Sequence, residues 1–203
     1  LILLYLISAA LILGMKYWYR SAGSSELDWI LSPTARWVEI LSGTSFEKIP
    51  NLGYINHPRR FIIAPSCSGV QFMLIAFAAR CFPFLCRMGT ARRGSLWMAL
   101  SLPAAYLYTI AANGIRILLS IYIPSFLDRS PVSVLSATWL TPEKLHTIIG
   151  TATYFTSLLI LYHGADAVCR HIQISPCKSR HFKYMPAAVC YFSIVLGIPF
   201  LGR

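Results

Sequence analysis

The sequence predicts an all-α, polytopic membrane protein in which about five transmembrane helices accompany a short extracytoplasmic helix and hairpin. Three observations predict this fold class. Of the 203 residues, 56% are hydrophobic and 12% are charged, which is about half the charged fraction of a soluble domain. Several apolar runs approach the roughly 20 residues that span hydrocarbon. Basic residues are concentrated in short connecting segments, as in the cytoplasmic loops of membrane proteins.

The net charge of +11 is better explained by topology than by nucleic-acid binding. Residues 87–94 carry three arginines and no acid, and residues 164–185 carry four Lys or Arg against one Asp. Residues 20–61 and 124–145 are nearly balanced. Short Lys/Arg-rich loops stay in the cytoplasm, so we expect the balanced segments on the extracytoplasmic side. The sequence has no basic, aromatic-interleaved soluble module, and we expect no nucleic-acid partner.

The first two predicted segments are a membrane anchor and an extracytoplasmic segment. Residues 1–19 are an apolar run that ends in aromatic residues suited to the membrane interface, and we interpret it as an anchor rather than a cleaved signal peptide. Residues 20–64 follow outside. An amphipathic helix is expected from Pro33 to Ser42, with the preceding serine as N-cap and the following glycine at its end. Residues 44–64 favour a short hairpin or an extended loop.

Residues 65–163 predict a three-helix core that carries the chemistry. Its first helix runs from Cys67 to Arg87, about 30 Å at 1.5 Å per residue, which matches the hydrocarbon thickness. The second helix enters near Arg93, and Arg116 follows 23 residues later, or about 34 Å along the axis. Cys67 and Arg116 are therefore both expected at the outer interface.

The third core helix and the C-terminal segments complete the predicted topology. A helix with a threonine N-cap is expected from Pro142 to about His163, which puts His146 about one turn inside the outer end. Residues 164–185 are predicted to be a basic cytoplasmic loop. Residues 186–203 are predicted to be a short, final transmembrane helix. We expect the whole chain, residues 1–203, to form a single integral membrane domain.

The run Pro65-Ser66-Cys67-Ser68-Gly69 makes Cys67 a candidate nucleophile. If Ser66 caps the helix, the thiol lies in the first turn, where the helix N-terminus favours the thiolate. Ser68 and Gly69 are small and leave room for a substrate backbone. The alternative is a buried, inert cysteine. None of the six cysteines forms a CxxC or zinc-like pattern, and we expect neither metal nor cofactor.

Three further polar residues are candidates for the same site. Arg116 lies in an apolar segment, where a guanidinium is costly unless it has a partner or a function. It suits an oxyanion or a carboxylate; the alternative is contact with lipid headgroups. His146 suits a general acid or base, although it is alternatively an ordinary interfacial polar residue, and His57 is a competing candidate. Asn113 shares a helical face with Arg116 and either orients it or breaks the helix.

Three motifs together resemble the exosortase/archaeosortase superfamily of integral-membrane, transpeptidase-like enzymes. They are PSCSG at 65–69, ANGIRI at 112–117 and LHTIIG at 145–150. The similarity covers roughly residues 31–163 and includes the stretch TARWVEILSG. Many members of this superfamily have more spans than the five predicted here. The chain therefore resembles a short subtype, such as the K-type exosortases, or a chain that lacks a terminal portion.

The resemblance implies a catalytic trio of Cys67, Arg116 and His146. It also implies that the substrates are exported proteins whose C-terminal sorting signal combines a short recognition motif, a transmembrane helix and a basic tail. Cleavage at the motif and transfer to a membrane-linked acceptor, such as a lipid or glycan, are the implied reaction, at the outer face of the cytoplasmic membrane. Neither metal nor cofactor is implied.

The predicted function is therefore that of a membrane-embedded cysteine protease or transpeptidase. Two rival hypotheses from other classes stay open at this point. One is a transporter or channel in which Arg116 is an anion-binding charge, and the other is an assembly scaffold for a surface polymer. A third alternative keeps the enzyme and makes water the acceptor.

Overall fold

The computed structural model describes residues 2–59, 61–129 and 141–172. Its five α-helices and three strands occur in the order α1, α2, β1, β2, β3, α3, α4 and α5. Their bounds are α1 Ile2–Ser21, α2 Asp28–Ser42, β1 Glu47–Ile49, β2 Gly53–Asn56, β3 Phe61–Ile63, α3 Val70–Leu85, α4 Ala91–Arg129 and α5 Pro142–His171.

Four of the described helices are long and apolar enough to cross a membrane. These segments are Ile2–Ser21, Pro65–Met88, Ala91–Phe126 and Glu143–His171. The predicted class, a helical polytopic membrane protein, is confirmed. The predicted fifth span at residues 186–203 lies outside the described residues.

The described chain forms two compact units. The first contains α1, α3, α4 up to Thr109 and α5 from Leu158. The second contains α2, the strands, α4 from Ile110 and α5 up to Ser157. Every residue of the predicted catalytic trio belongs to the second unit.

Apolar packing, a hydrogen bond and an ion pair stabilise the first unit. Tyr5 of α1 stacks on Phe82 of α3, with ring centroids 6.0 Å apart. The indole Nε1 of Trp97 donates to the carbonyl of Arg80 over 2.9 Å. An ion pair joins Arg87 to Asp166 of α5. Helix α5 continues to His171, so residues 164–171 of the predicted cytoplasmic loop are helical, and residues 173–185 lie outside the described residues.

Helix α2 begins five residues earlier than predicted. It starts at Asp28, so Pro33 lies inside the helix and not at its first position. The fully buried residues Leu27, Ile30 and Leu31 explain the early start, because their burial outweighs the local signal for a helix start at the proline. The predicted end is confirmed: Gly43 has φ 65°, and its N–H bonds to the Glu39 carbonyl, a left-handed helix C-cap.

Residues 44–64 contain a three-stranded antiparallel sheet of order β1-β2-β3. Its register pairs Lys48 with Tyr54 and Tyr54 with Ile63. Asp28 of α2 accepts hydrogen bonds from Lys48 Nζ at 2.9 Å and Tyr54 Oη at 2.8 Å. The bond from Lys48, followed by that from Tyr54, holds the pKa of Asp28 below its usual range. The sheet is thereby fastened to α2.

Helices α4 and α5 differ from prediction in length. Helix α4 is continuous from Ala91 to Arg129, so the pair Asn113-Gly114 does not break it and Arg116 is not near its end. Helix α5 has the predicted cap, because the Lys144 N–H donates to Thr141 Oγ1 over 3.3 Å.

Candidate active site

Cys67 lies in a short turn between β3 and α3. After β3, Ala64 remains extended with φ −83° and ψ 169°, and Pro65 begins a 3₁₀ turn that ends at Cys67. The Cys67 N–H donates to the Ala64 carbonyl over 2.8 Å. Gly69 then adopts φ 77°, a conformation that glycine accepts readily, and α3 begins at the next residue. The PSCSG sequence therefore encodes a complete turn.

This placement corrects the predicted capping role of Ser66. Helix α3 starts at Val70, so Cys67 precedes the helix instead of occupying its first turn, and Ser66 is not its N-cap. The proline and the positive-φ glycine confine the chain here more strongly than a serine cap does. Within the turn Ser66 is exposed, Cys67 is half-buried and Ser68 is fully buried.

Asn113 connects the Cys67 turn to α4. Its side chain is fully buried, and its Nδ2 donates to the Cys67 carbonyl over 2.7 Å. Its Oδ1 accepts from Tyr154 Oη at 2.8 Å and from Arg116 Nη1 at 3.3 Å. Both ends of the amide are therefore used, as a buried polar group requires.

Arg116 connects the side-chain amide of Asn113 to His146. Its Nη2 lies 3.0 Å from His146 Nε2, and its Nη1 also donates to Tyr154 Oη over 3.2 Å. The guanidinium carbon lies 5.3 Å from the centroid of the Tyr154 ring, within cation–π range. A guanidinium only donates, so this contact is a hydrogen bond in the tautomer whose Nε2 carries no proton. The described residues place no carboxylate in an ion pair with Arg116.

Two motif glycines make room for this arrangement. A Cβ at Gly150 would lie 3.1 Å from Arg116 Nε, closer than ordinary contact. A Cβ at Gly114 would overlap the indole ring of Trp37 in α2. The three motifs and the TARWVEILSG stretch therefore meet in the second unit, and glycines occur where the side chains come closest.

The structure brings together four of the six predicted site residues. Hydrogen bonds link the Cys67 backbone carbonyl to Asn113, Asn113 to Arg116, and Arg116 to His146. Ser66 and Ser68 belong to the turn that presents the cysteine. The competing candidate His57 instead lies 3.3 Å from Glu47 Oε2 and is exposed.

Tyr154 was missed by the sequence reasoning. It contacts both Asn113 and Arg116. A usable signal existed, because His146, Gly150 and Tyr154 recur every four residues on α5 and so share one helical face. The pattern was obscured by the surrounding apolar and aromatic residues of the helix.

The fold and this cluster together define a polytopic membrane protein that holds a cysteine, an arginine and a histidine on neighbouring elements. Comparison with known families gives a consistent result. Residues 2–163 match the family model described as Transmembrane exosortase. The chain therefore belongs to the transmembrane exosortase family, and the resemblance stated from the motifs is confirmed. No curated protein and no solved structure matches the chain.

Proposed function

We propose that this protein is a cysteine transpeptidase that cleaves C-terminal sorting signals of exported proteins and transfers the product to an acceptor. One observation carries the proposal: an unbroken chain of contacts links the Cys67 backbone, Asn113, Arg116 and His146. Membership of the transmembrane exosortase family supports a sorting role. The site supplies the three functions of thiol acyl transfer, namely a nucleophile, an oxyanion donor and an acid or base.

The reaction begins when the substrate carbonyl oxygen replaces His146 Nε2 as the acceptor at Arg116. The imidazole lone pair is then free and takes the proton of Cys67. The thiolate attacks the carbonyl carbon of the scissile peptide bond, and the carbonyl oxygen becomes an oxyanion. Arg116 donates to this oxygen, because its guanidinium offers several N–H groups and is not neutralised by a carboxylate of the described chain.

Breakdown of the tetrahedral intermediate gives a thioester. The C–N bond breaks, and the leaving amine takes the proton from His146. An acceptor nucleophile then attacks the thioester and gives its own proton to His146. The C–S bond breaks, Cys67 is regenerated, and the acyl group remains on the acceptor. Water as acceptor turns the same sequence into hydrolysis.

The charge pattern supports the location, and the family resemblance supports the partners. The short basic segments belong in the cytoplasm, so we assign the site to the extracytoplasmic side of the cytoplasmic membrane. The substrates are exported proteins with a recognition motif, a transmembrane helix and a basic tail, and the helix enters laterally from the lipid. A membrane lipid or glycan is the acceptor.

The test is a comparison of exported-protein C-termini in cells that carry the wild-type chain or Cys67→Ala. Mass spectrometry of intact C-terminal peptides is expected to reveal precursors that accumulate only in the variant. Cys86→Ala is the matched control, because Cys86 is also a half-buried cysteine and lies outside the site. We expect Cys86→Ala to process normally.

The same spectra distinguish the alternatives. A mass addition at the new C-terminus identifies transfer, whereas a free carboxylate identifies hydrolysis. Normal processing by Cys67→Ala contradicts the proposal and favours a transporter or scaffold. A peptide trapped as a thioester on Cys67 of the wild type supports it directly.

A further inference from the structure

The strand β3 leads directly into the turn that carries Cys67. In the sheet order β1-β2-β3, β3 is an edge strand. Its last residue, Ile63, is followed by the extended Ala64, whose carbonyl accepts from the Cys67 N–H at 2.8 Å. Two residues of extended chain cover about 6.6 Å. A peptide paired with the middle of β3 therefore needs only a few residues to reach the Cys67 thiol.

The register tells which backbone groups of β3 point away from the sheet. A Cβ on Gly53 of β2 would collide with the Ile63 carbonyl oxygen, so this oxygen points toward β2, consistent with the pairing of Tyr54 with Ile63. Outward and inward groups alternate along an antiparallel edge. The N–H and C=O of Ile62 therefore point outward. Within the described ranges, no turn or loop backbone group bonds to them.

The two edges of the sheet differ in chemistry. The β1 edge carries Glu47, which is paired with His57, and Lys48, which is paired with Asp28. Charged side chains of this kind protect an edge from pairing with another strand. The β3 edge reads Phe-Ile-Ile, has no charge, and leaves Ile62 42% exposed. An unprotected edge beside a nucleophilic turn is suited to accepting an extended peptide.

We propose that an extended segment of the substrate adds to the sheet as a fourth strand along the outer edge of β3. This inference rests on the proposed function, because the occupant is the peptide that Cys67 cleaves. Ile62 holds the substrate backbone by its N–H and C=O, and the next few substrate residues reach Cys67. The pairing aligns the peptide by its main chain, so it operates on substrates of varied side-chain sequence.

The test uses proline as a backbone-specific probe. Ile62→Pro removes the outward N–H and leaves the inward bonds of β3 to β2 intact. We expect processing at limiting substrate to fall about three- to tenfold, the effect of one lost hydrogen bond, and to fall more than in Ile62→Thr, which keeps the N–H. Lys48→Pro is the matched control, because by the same alternation Lys48 points its N–H outward on the opposite edge.

The substrate side is tested with a peptide that spans the junction defined by the C-terminal spectra. Methylation of single backbone nitrogens roughly two to four residues from the scissile bond is expected to weaken cleavage at alternate positions only. Whether the sensitive positions lie on the N-terminal or the C-terminal side of the scissile bond tells whether the added strand is parallel or antiparallel to β3. Labelling of Cys67 by iodoacetamide at the wild-type rate verifies that the Ile62→Pro turn is folded.

Each outcome has a distinct meaning. Wild-type processing by Cys67→Ala removes the proposed function and the pairing with it. An inactive Cys67→Ala beside a fully active Ile62→Pro removes the pairing alone. Equal losses in Ile62→Pro and Lys48→Pro, or an N-methyl scan without alternation, also overturn the pairing. If Ile62→Pro is misfolded, the N-methyl scan on the wild-type chain decides.

Discussion

Replacement of Gly150 by alanine is expected to damage the reaction while leaving the fold intact. The added Cβ would lie 3.1 Å from Arg116 Nε and 3.9 Å from its Cδ and Cζ. Relief of the close contact needs a shift of a few tenths of an ångström. The guanidinium is also held by His146 at 3.0 Å and Tyr154 at 3.2 Å, so the shift strains hydrogen bonds of ordinary length.

The expected magnitude follows from these contacts. Loss of one hydrogen bond to a charged group costs about 1.5–3 kcal/mol, and each 1.4 kcal/mol corresponds to about a factor of ten in rate. We therefore expect kcat/KM to fall about tenfold or more. In contrast, alanine stabilises a helix interior by about 1 kcal/mol relative to glycine. The thermal unfolding temperature of Gly150→Ala is expected to be unchanged or higher.

Gly164→Ala provides the matched control in the same helix. A Cβ at Gly164 meets nothing within 4 Å, so this substitution gives the helical gain without the contact to Arg116. The assay compares kcat/KM on a junction peptide and unfolding in detergent for both variants. Full activity of Gly150→Ala would refute the reasoning, since it would mean that the position of Arg116 is not critical.

Three further predictions address the surroundings of the site. Tyr154→Phe keeps the ring over Arg116 and loses the hydroxyl; we expect kcat/KM to fall about fivefold, for roughly 1 kcal/mol, with Tm nearly unchanged. Gly114→Ala forces the indole of Trp37 to move, so denaturant unfolding is expected to register a loss of about 1–3 kcal/mol. Asp28 has a lowered pKa, so its bonds stabilise the fold above the ordinary pKa of a carboxyl group, and this stabilisation disappears as pH falls through the folded pKa; Asp28→Asn is expected to unfold more easily than the wild type at pH 7, with a difference that shrinks as the pH is lowered through the folded pKa.

The trio could be anticipated because its signals are global. Span length and charge asymmetry gave Cys67, Arg116 and His146 a common depth, and neither depends on side-chain detail. The continuous helix at Asn113-Gly114 could not be anticipated in the same way. The glycine is required by the ring of Trp37, a partner 77 residues away in sequence, and local propensity carries no information about such a neighbour.

The turn and the sheet also contain features that the sequence could predict and features that it could not. The helix was predicted to begin at Cys67 with Ser66 as its possible cap, whereas it begins at Val70, because a short turn and a first helical turn have similar compositions. The strands are three or four residues long, which is too short for a clear alternating pattern. The strands pair as consecutive hairpins, with partners at most nine residues apart, so the short length of the strands is what hid the sheet.

The bond from Asn113 to the Cys67 carbonyl has a consequence for the behaviour of the enzyme in a fluctuating bilayer. Asn113 and Arg116 are less than one turn apart on α4, so the Cys67 turn and Arg116 are both attached to the same helix segment. If α4 tilts or slides as the lipid thickness changes, both groups travel together. Under the proposed function, the alignment of Cys67 with Arg116 would then not depend on the depth of the helix in the membrane.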